Sequence, residues 1–193
     1  MNRIARILMD SRLHARSRIR LVDRLLEKAG RPAGGEALEV GCGAGFASAH
    51  LADRYRMRVV GTDAEADRIE TARKKNPEGE RLSFAVADAA ALPFEEGRFD
   101  LVLAQNVFHH VSDWKAVADE VARVLKSRGL FLFSDIKGTG AATRAVCGVG
   151  KDHGFRDTDE MVERLRASGL EVVHRDEPAG AFRKEFTILF RKG

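Results

Sequence analysis

The chain has 193 residues, 44% hydrophobic and 32% charged, with a formal net charge of +4 and two cysteines. Those values fit one soluble globular domain, burying about 70% of the surface of its unfolded chain, and indicate neither a disordered chain nor a disulfide scaffold. No window offers the roughly 18 uninterrupted apolar residues of a membrane span, and Cys42 and Cys147 match no zinc spacing, so no metal and a reducing cytoplasm are expected.

The charge is concentrated at the start. Residues 1–30 carry seven arginines and one lysine against Asp10, Asp23 and Glu27, which is +5 and leaves −1 for the rest. Ile4, Ile7, Leu8, Ile19, Val22, Leu25 and Leu26 form a partial helical stripe, so this segment is expected as one or two helices laid on the domain formed by residues 31–193. Its arginines read as a solvated face, and its position suits a lid over a site. Arginine-rich amphipathic starts also occur in transit peptides, but the three acidic residues argue against one here.

Beyond it, apolar runs alternate with helical patterns. Strands are expected at Ala37–Val40, Met57–Thr62, Leu82–Val86, Phe99–Ala104, Leu130–Asp135, Leu170–His174 and Phe186–Phe190. Helices are expected at Phe46–Arg54, Ala64–Lys75, Asp113–Leu125 and Thr158–Ala167. Strand–helix repetition means parallel pairing through right-handed crossovers, hence a doubly wound α/β sheet. The last two strands flank Pro178-Ala179-Gly180 with too short a connection for a crossover, so they should pair antiparallel.

The stretch "ALEVGCGAGFASAHLA", residues 37–52, puts Gly41, Gly43 and Gly45 between the first strand and a helix. Such a turn reverses the chain sharply and exposes main-chain N–H groups to a ligand. Asp63 closes the second strand about 20 residues on, where a carboxylate can accept from two ribose hydroxyls, and Asp88 follows the third strand beside the same crevice. A nucleoside is the ligand this pattern expects. The spacing is G-x-G-x-G, with Phe46 after Gly45, rather than the G-x-G-x-x-G/A of a dinucleotide site.

Taken together, "LEVGCGAG", "VVGTD", "VADAAALPFEEGRFDLVLAQNVFHHV" and "RVLKSRGLFLFSDI" resemble the class I S-adenosylmethionine-dependent methyltransferases. The likeness is to the small-molecule branch typified by the ubiquinone and menaquinone biosynthesis enzymes, and it covers about residues 36 to 136. It implies a Rossmann-like, doubly wound, seven-stranded, mostly parallel sheet with an antiparallel last strand, and S-adenosylmethionine as the cofactor. Carried over residue by residue, Glu39, Gly41, Cys42, Gly43 and Gly45 would surround the methionine part. Asp63 and Ala64 would meet the ribose, Asp88 and Ala89 the adenine edge, and Gln105 would stand where cofactor and acceptor meet. "LKSRG" departs from the family's usual L-K-P-G-G, which affects only the turn before the fifth strand.

The sulfonium makes the methyl group electrophilic, so positioning is the protein's main task. Gln105 to His110 should face a small organic acceptor. The segment lacks the Asn/Asp-Pro-Pro-Tyr/Phe motif of amine methylation, and Cys147 follows Val146 rather than the proline of cysteine-nucleophile RNA methylation. Cys42 reads as a buried bystander thiol. His109, His110 and His153 are the candidates for a base; adjacent histidines lack the i, i+4 spacing of a helical metal pair, and Asp135 would orient substrate or cap a turn. Two other readings stay open at this point: an RNA methyltransferase using the basic N-terminus, and a non-catalytic cofactor-binding protein.

Overall fold

A computed structural model describes residues 12–30, 34–136, 158–176 and 185–193. Ile4 to Leu8, Cys147, His153 and Pro178-Ala179-Gly180 lie outside the described residues. In chain order the elements are α1 (Arg12–Lys28), β1 (Glu36–Val40), α2 (Phe46–Arg54), β2 (Arg58–Asp63), α3 (Ala66–Lys75), β3 (Leu82–Val86), β4 (Phe99–Gln105), a 3-10 turn (Phe108–His110), α4 (Trp114–Val124), β5 (Leu125–Ile136), α5 (Thr158–Ala167), β6 (Leu170–Asp176) and β7 (Glu185–Lys192).

The seven strands form one sheet in the order β3-β2-β1-β4-β5-β7-β6. β7 runs antiparallel to both β5 and β6, and the neighbours from β3 to β5 are parallel. The strand order reverses between β1 and β4, so the crevice beyond their carboxyl ends is where a sheet of this type receives a ligand.

Side-chain alternation sorts each strand between two layers. Ala37, Leu101, Leu103, Leu130, Leu132 and Leu189 pack under Val22, Leu25 and Leu26 of α1 and Ala47 and Leu51 of α2. Leu38, Val40, Val102, Ala104, Phe131, Phe133 and Phe190 pack on the other side, under Trp114, Val117 and Val121 of α4 and Leu165 of α5. With both faces covered, the central strands read as nearly unbroken apolar runs.

Several boundaries moved from the sequence expectation, mostly by one or two residues, and the two around α4 have a clear physical reason. Asp113 is the cap of α4 rather than its first residue, its carboxylate accepting from Ala116 N at 3.1 Å. Leu125 opens β5 instead of closing α4, and the pairing shifts register between Phe99 and Leu101 to accommodate the extra residues. In that bulge Arg128 takes φ +64°, a left-handed conformation, at the position where the resembled motif has its first glycine. The chain then needs Gly129, because a Cβ there would lie 2.8 Å from Lys126 O and 3.2 Å from Phe99 O.

A polar pin ties α1 to α2. Asp23 Oδ1 accepts from Tyr55 Oη at 2.7 Å and lies 2.7 Å from His50 Nε2. Burial alone would raise this carboxyl, but the hydrogen bonds from His50 and Tyr55 outweigh it and hold it below its ordinary range. Burial and the same contact push the Tyr55 phenol up to about 12.

Candidate functional site

The glycine turn leaves β1 at its carboxyl end. Gly41, Gly43 and Gly45 have φ of +68°, +55° and +74°, values L side chains rarely adopt. Close approach also restricts two of them, and the neighbours are protein. A Cβ on Gly41 would lie 2.4 Å from Val107 Cγ2, and one on Gly45 would lie 2.7 Å from the Phe84 ring and 3.0 Å from Ala72 Cβ. Cys42 between them donates its N–H to Thr62 O at 2.8 Å and is buried. Burial pushes its thiol far above the ordinary range, which makes it unreactive and supports the bystander reading.

Glu39 is 4% exposed and lies on the layer occupied by α1 and α2. Its Oε2 accepts Ser48 N at 2.7 Å and also the Ser48 hydroxyl. Burial raises its carboxyl to about 7, against the pull of the Ser48 hydrogen bonds and of Arg18. The signal for Ser48 was local: nine residues after Glu39, it faces back one turn into α2 from Gly45.

Asp63 stands at the end of β2. Its Oδ2 accepts Gly43 N at 3.0 Å and its Oδ1 accepts Glu65 N at 3.1 Å, so the acid braces the glycine turn directly. Ala64 beside it is exposed. Ala87 N donates to Asp63 O at 3.1 Å and brings the loop after β3 alongside. There Asp88 is exposed, with Oδ1 on Ala90 N at 2.9 Å, and Ala89 packs partly against the core. Val86, which pairs with Asp63, is 54% exposed, unusual for so apolar a residue at a strand end.

At the end of β4, Gln105 is buried and its amide nitrogen has no partner among the described residues. Asn106 follows at φ +57° with its Oδ1 likewise unpartnered. The Gln105 carbonyl accepts Arg18 Nη2 from α1 at 2.6 Å. Arg18 departs from the expected solvated face: Arg16, Arg20 and Arg24 are exposed, but Arg18 is half-buried and its Nε is closed to solvent, with no partner among the described residues. Burial lowers its pKa despite the opposing field of Glu39, Glu185 and Asp135. The signal was in the spacing, because Arg18 falls three residues after Ala15 and four before Val22, on the stripe that faces the sheet.

The two adjacent histidines separate. His109 is 5% exposed, with Nδ1 2.5 Å from Asp135 Oδ1 and N donating to Asp135 Oδ2 at 3.3 Å; His110 is exposed, its ring 3.9 Å from that of His109. An ionised carboxylate only accepts, so Asp135 holds His109 as the Nδ1–H tautomer. The structure thus gathers Glu39, Gly41 to Gly45, Asp63, Asp88, Gln105 and the His109–Asp135 pair around the carboxyl ends of β1 to β5. Among the described residues no helix is long and apolar enough to cross a membrane.

A family model described as "Methyltransferase domain" matches residues 38–133, about half of the chain. Methyltransferase GfsG of Streptomyces halstedii is 30% identical over 164 residues, covering 80% of this chain and 59% of that protein. The 27-O-demethylrifamycin SV methyltransferase of Amycolatopsis mediterranei is 30% identical over 178 residues, covering 87% of this chain and 65% of that protein. The chain therefore spans about three fifths of the length of these curated relatives. Among solved structures, the [4+2]-cyclase SpnF superposes with a TM-score of 0.75 at 18% identity, covering 90% of this chain and 80% of that one. That likeness concerns the fold alone, since one fold hosts different chemistries.

Proposed function

Since the chain belongs to the class I S-adenosylmethionine-dependent methyltransferases of the small-molecule branch, we propose that it transfers a methyl group from S-adenosylmethionine to an oxygen of a small organic acceptor. One observation carries the reading: Asp63, at the end of β2 and braced by the N–H of Gly43, stands beside the glycine turn that leaves β1, the strand at which the sheet order reverses toward β4.

The residues present fit the cofactor. Asp63 uses one direction on each carboxylate oxygen for main-chain N–H groups, so further lone pairs can accept the two ribose hydroxyls. Asp88 and Ala89 take the adenine edge, with the exposed Val86 as the apolar surface under the ring. Glu39 and the turn from Gly41 to Gly45 take the aminoacyl end, and Gln105 stands between it and the acceptor. When bound, the cofactor supplies a sulfonium-activated methyl group. This chain's residues then have to hold an acceptor oxygen in line and exclude water, an arrangement worth up to about 7–11 kcal/mol.

For an acceptor that must lose a proton, His109 is the assigned base, its ring oriented through Nδ1 by Asp135. The oxygen acceptor follows the relatives, among them a protein named for rifamycin O-methylation and a fatty-acid O-methyltransferase of Mycolicibacterium smegmatis. Helix α1 covers the aminoacyl end, in keeping with residues 1–30 as a lid over the domain of residues 31–193. The cytoplasm is the setting we assign, in keeping with the free Cys42 thiol.

Titration calorimetry with S-adenosylmethionine, S-adenosylhomocysteine and NAD tests the cofactor. The two sulfur nucleosides should bind and NAD should not; the opposite pattern removes the reading. Incubating the protein with methyl-labelled cofactor and a small-molecule extract should then yield labelled product together with S-adenosylhomocysteine.

A further inference from the structure

A helix packed on a sheet ordinarily turns aliphatic residues inward, and α1 does so with Val22, Leu25 and Leu26, yet it also turns in Arg18. An arginine needed only to fill that place has no advantage over methionine, because its donors must be taken out of water. Nη2 finds the Gln105 carbonyl at 2.6 Å, while Nε finds no partner among the described residues. Gln105 Nε2, from the residue whose carbonyl Arg18 holds, finds none among them either. Buried unpaired donors are rare and costly in folded proteins, and two on neighbouring side chains mark a place where an acceptor belongs.

The carboxylates nearby do not fill that role. Glu39 accepts from Ser48, Glu185 Oε1 accepts from Ser134 at 3.0 Å, and Asp135 accepts from His109 and from Ile136 N at 2.7 Å. All three lie close enough to act on Arg18 electrostatically. Arg18 and Glu39 thus act on each other electrostatically beside the glycine turn, and Asn106 Oδ1, unpartnered among the described residues, lies at the end of the adjacent strand. A basic and an acidic group so placed suit the two ends of an amino-acid group.

We propose that Arg18 Nε and Gln105 Nε2 hold the carboxylate of the aminoacyl group of S-adenosylmethionine, opposite Glu39, which faces its ammonium. The assignment rests on the cofactor reading above. It places a cofactor-binding residue in the N-terminal helix, outside the residues 38–133 that the family model matches. The helix is then part of the site and not only its cover.

The test compares two ligands that share the nucleoside and differ in the aminoacyl group: S-adenosylhomocysteine, which has it, and 5′-methylthioadenosine, which lacks it. Calorimetry on the full chain should find S-adenosylhomocysteine the tighter ligand of the wild type. Arg18→Met should weaken S-adenosylhomocysteine about 10- to 100-fold and leave 5′-methylthioadenosine within about twofold, as expected for one lost charged contact. Arg18→Lys keeps the charge without the fork, guards against a folding defect in the first variant, and should weaken only S-adenosylhomocysteine, by about 3- to 10-fold. Arg16→Met, on the exposed side, should change neither. An equal loss for both ligands means Arg18 merely supports the fold and overturns the proposal, as does wild-type affinity in Arg18→Met. If the wild type binds both ligands equally, the nucleoside reading stands and the carboxylate assignment falls; if it binds neither, both fall together.

Discussion

His109 Nδ1 meets Asp135 Oδ1 at 2.5 Å, joining the turn after β4 to the end of β5 through two side chains that are 5% and 2% exposed. The carboxylate also accepts two main-chain N–H groups, from His109 and Ile136, so it is fixed before it orients the ring. Asp135→Asn keeps the shape but can present an amide N–H to Nδ1 and so select the other tautomer. Turnover should fall about 10²- to 10⁴-fold while S-adenosylhomocysteine affinity stays within about twofold. Single-turnover transfer measured beside calorimetry checks this, and an unchanged rate would remove His109 as the base.

Asp63 and Asp88 should differ in weight. Asp63 braces Gly43 and in the proposed site would also accept two ribose hydroxyls, whereas Asp88 is exposed and would accept chiefly one amine. At about 1.5–3 kcal/mol per charged hydrogen bond, Asp63→Ala should weaken S-adenosylhomocysteine by more than about 100-fold and Asp88→Ala by about tenfold. Equal affinities in the two variants and the wild type would sink both assignments.

Glu39 makes stability depend on pH in a direction opposite to that of a salt-bridged acid. Its carboxyl ionises near 4.5 ordinarily and near 7 in the fold. Between those values the folded form keeps a proton that the unfolded form has released, so stability falls as pH rises through the window, by about 3 kcal/mol in all. Glu39→Gln ionises in neither state. Its Tm should therefore drop less than that of the wild type between pH 5 and pH 8, measured without ligand, and parallel curves for the two proteins would contradict the buried acid.

Arg128, held at φ +64° in the bulge of β5, carries a conformational cost that glycine does not. Arg128→Gly should stabilise the protein by about 0.5–1 kcal/mol, after the greater freedom of glycine in the unfolded chain is deducted, and raise Tm by a few degrees. The residue is exposed and lies at the opening of β5, so cofactor affinity should not move. A lower Tm would mean that the side chain makes a contact outweighing the backbone cost.

Much of this was legible along the chain. Period-two runs such as Leu82–Val86, and the three- and four-residue recurrence of Trp114, Val117 and Val121, are local properties of the sequence, and the strands and helices appear where those patterns lie. The glycine turn, Asp63 and Asp88 were readable for the same reason, because each sits at a strand end and needs only its own element to be placed. The antiparallel β7 followed from the short connection before it. Other features depended on distance through space. That Gly41 and Gly45 are crowded by Val107 and Phe84 required the packing of turns and strands remote in sequence. That His109 and not His110 is buried depended on Asp135, 26 residues away, and on which layer the strand alternation assigns to that acid. Arg18 stood in a run of arginines that composition reads as one solvated face, and only the docking of α1 over β4 turned that one guanidinium inward, 87 residues from the carbonyl it holds. Local periodicity determines what each element is. Which polar atoms are left facing one another is decided by how the elements pack, because burial strips water from a group only after its neighbours have closed over it.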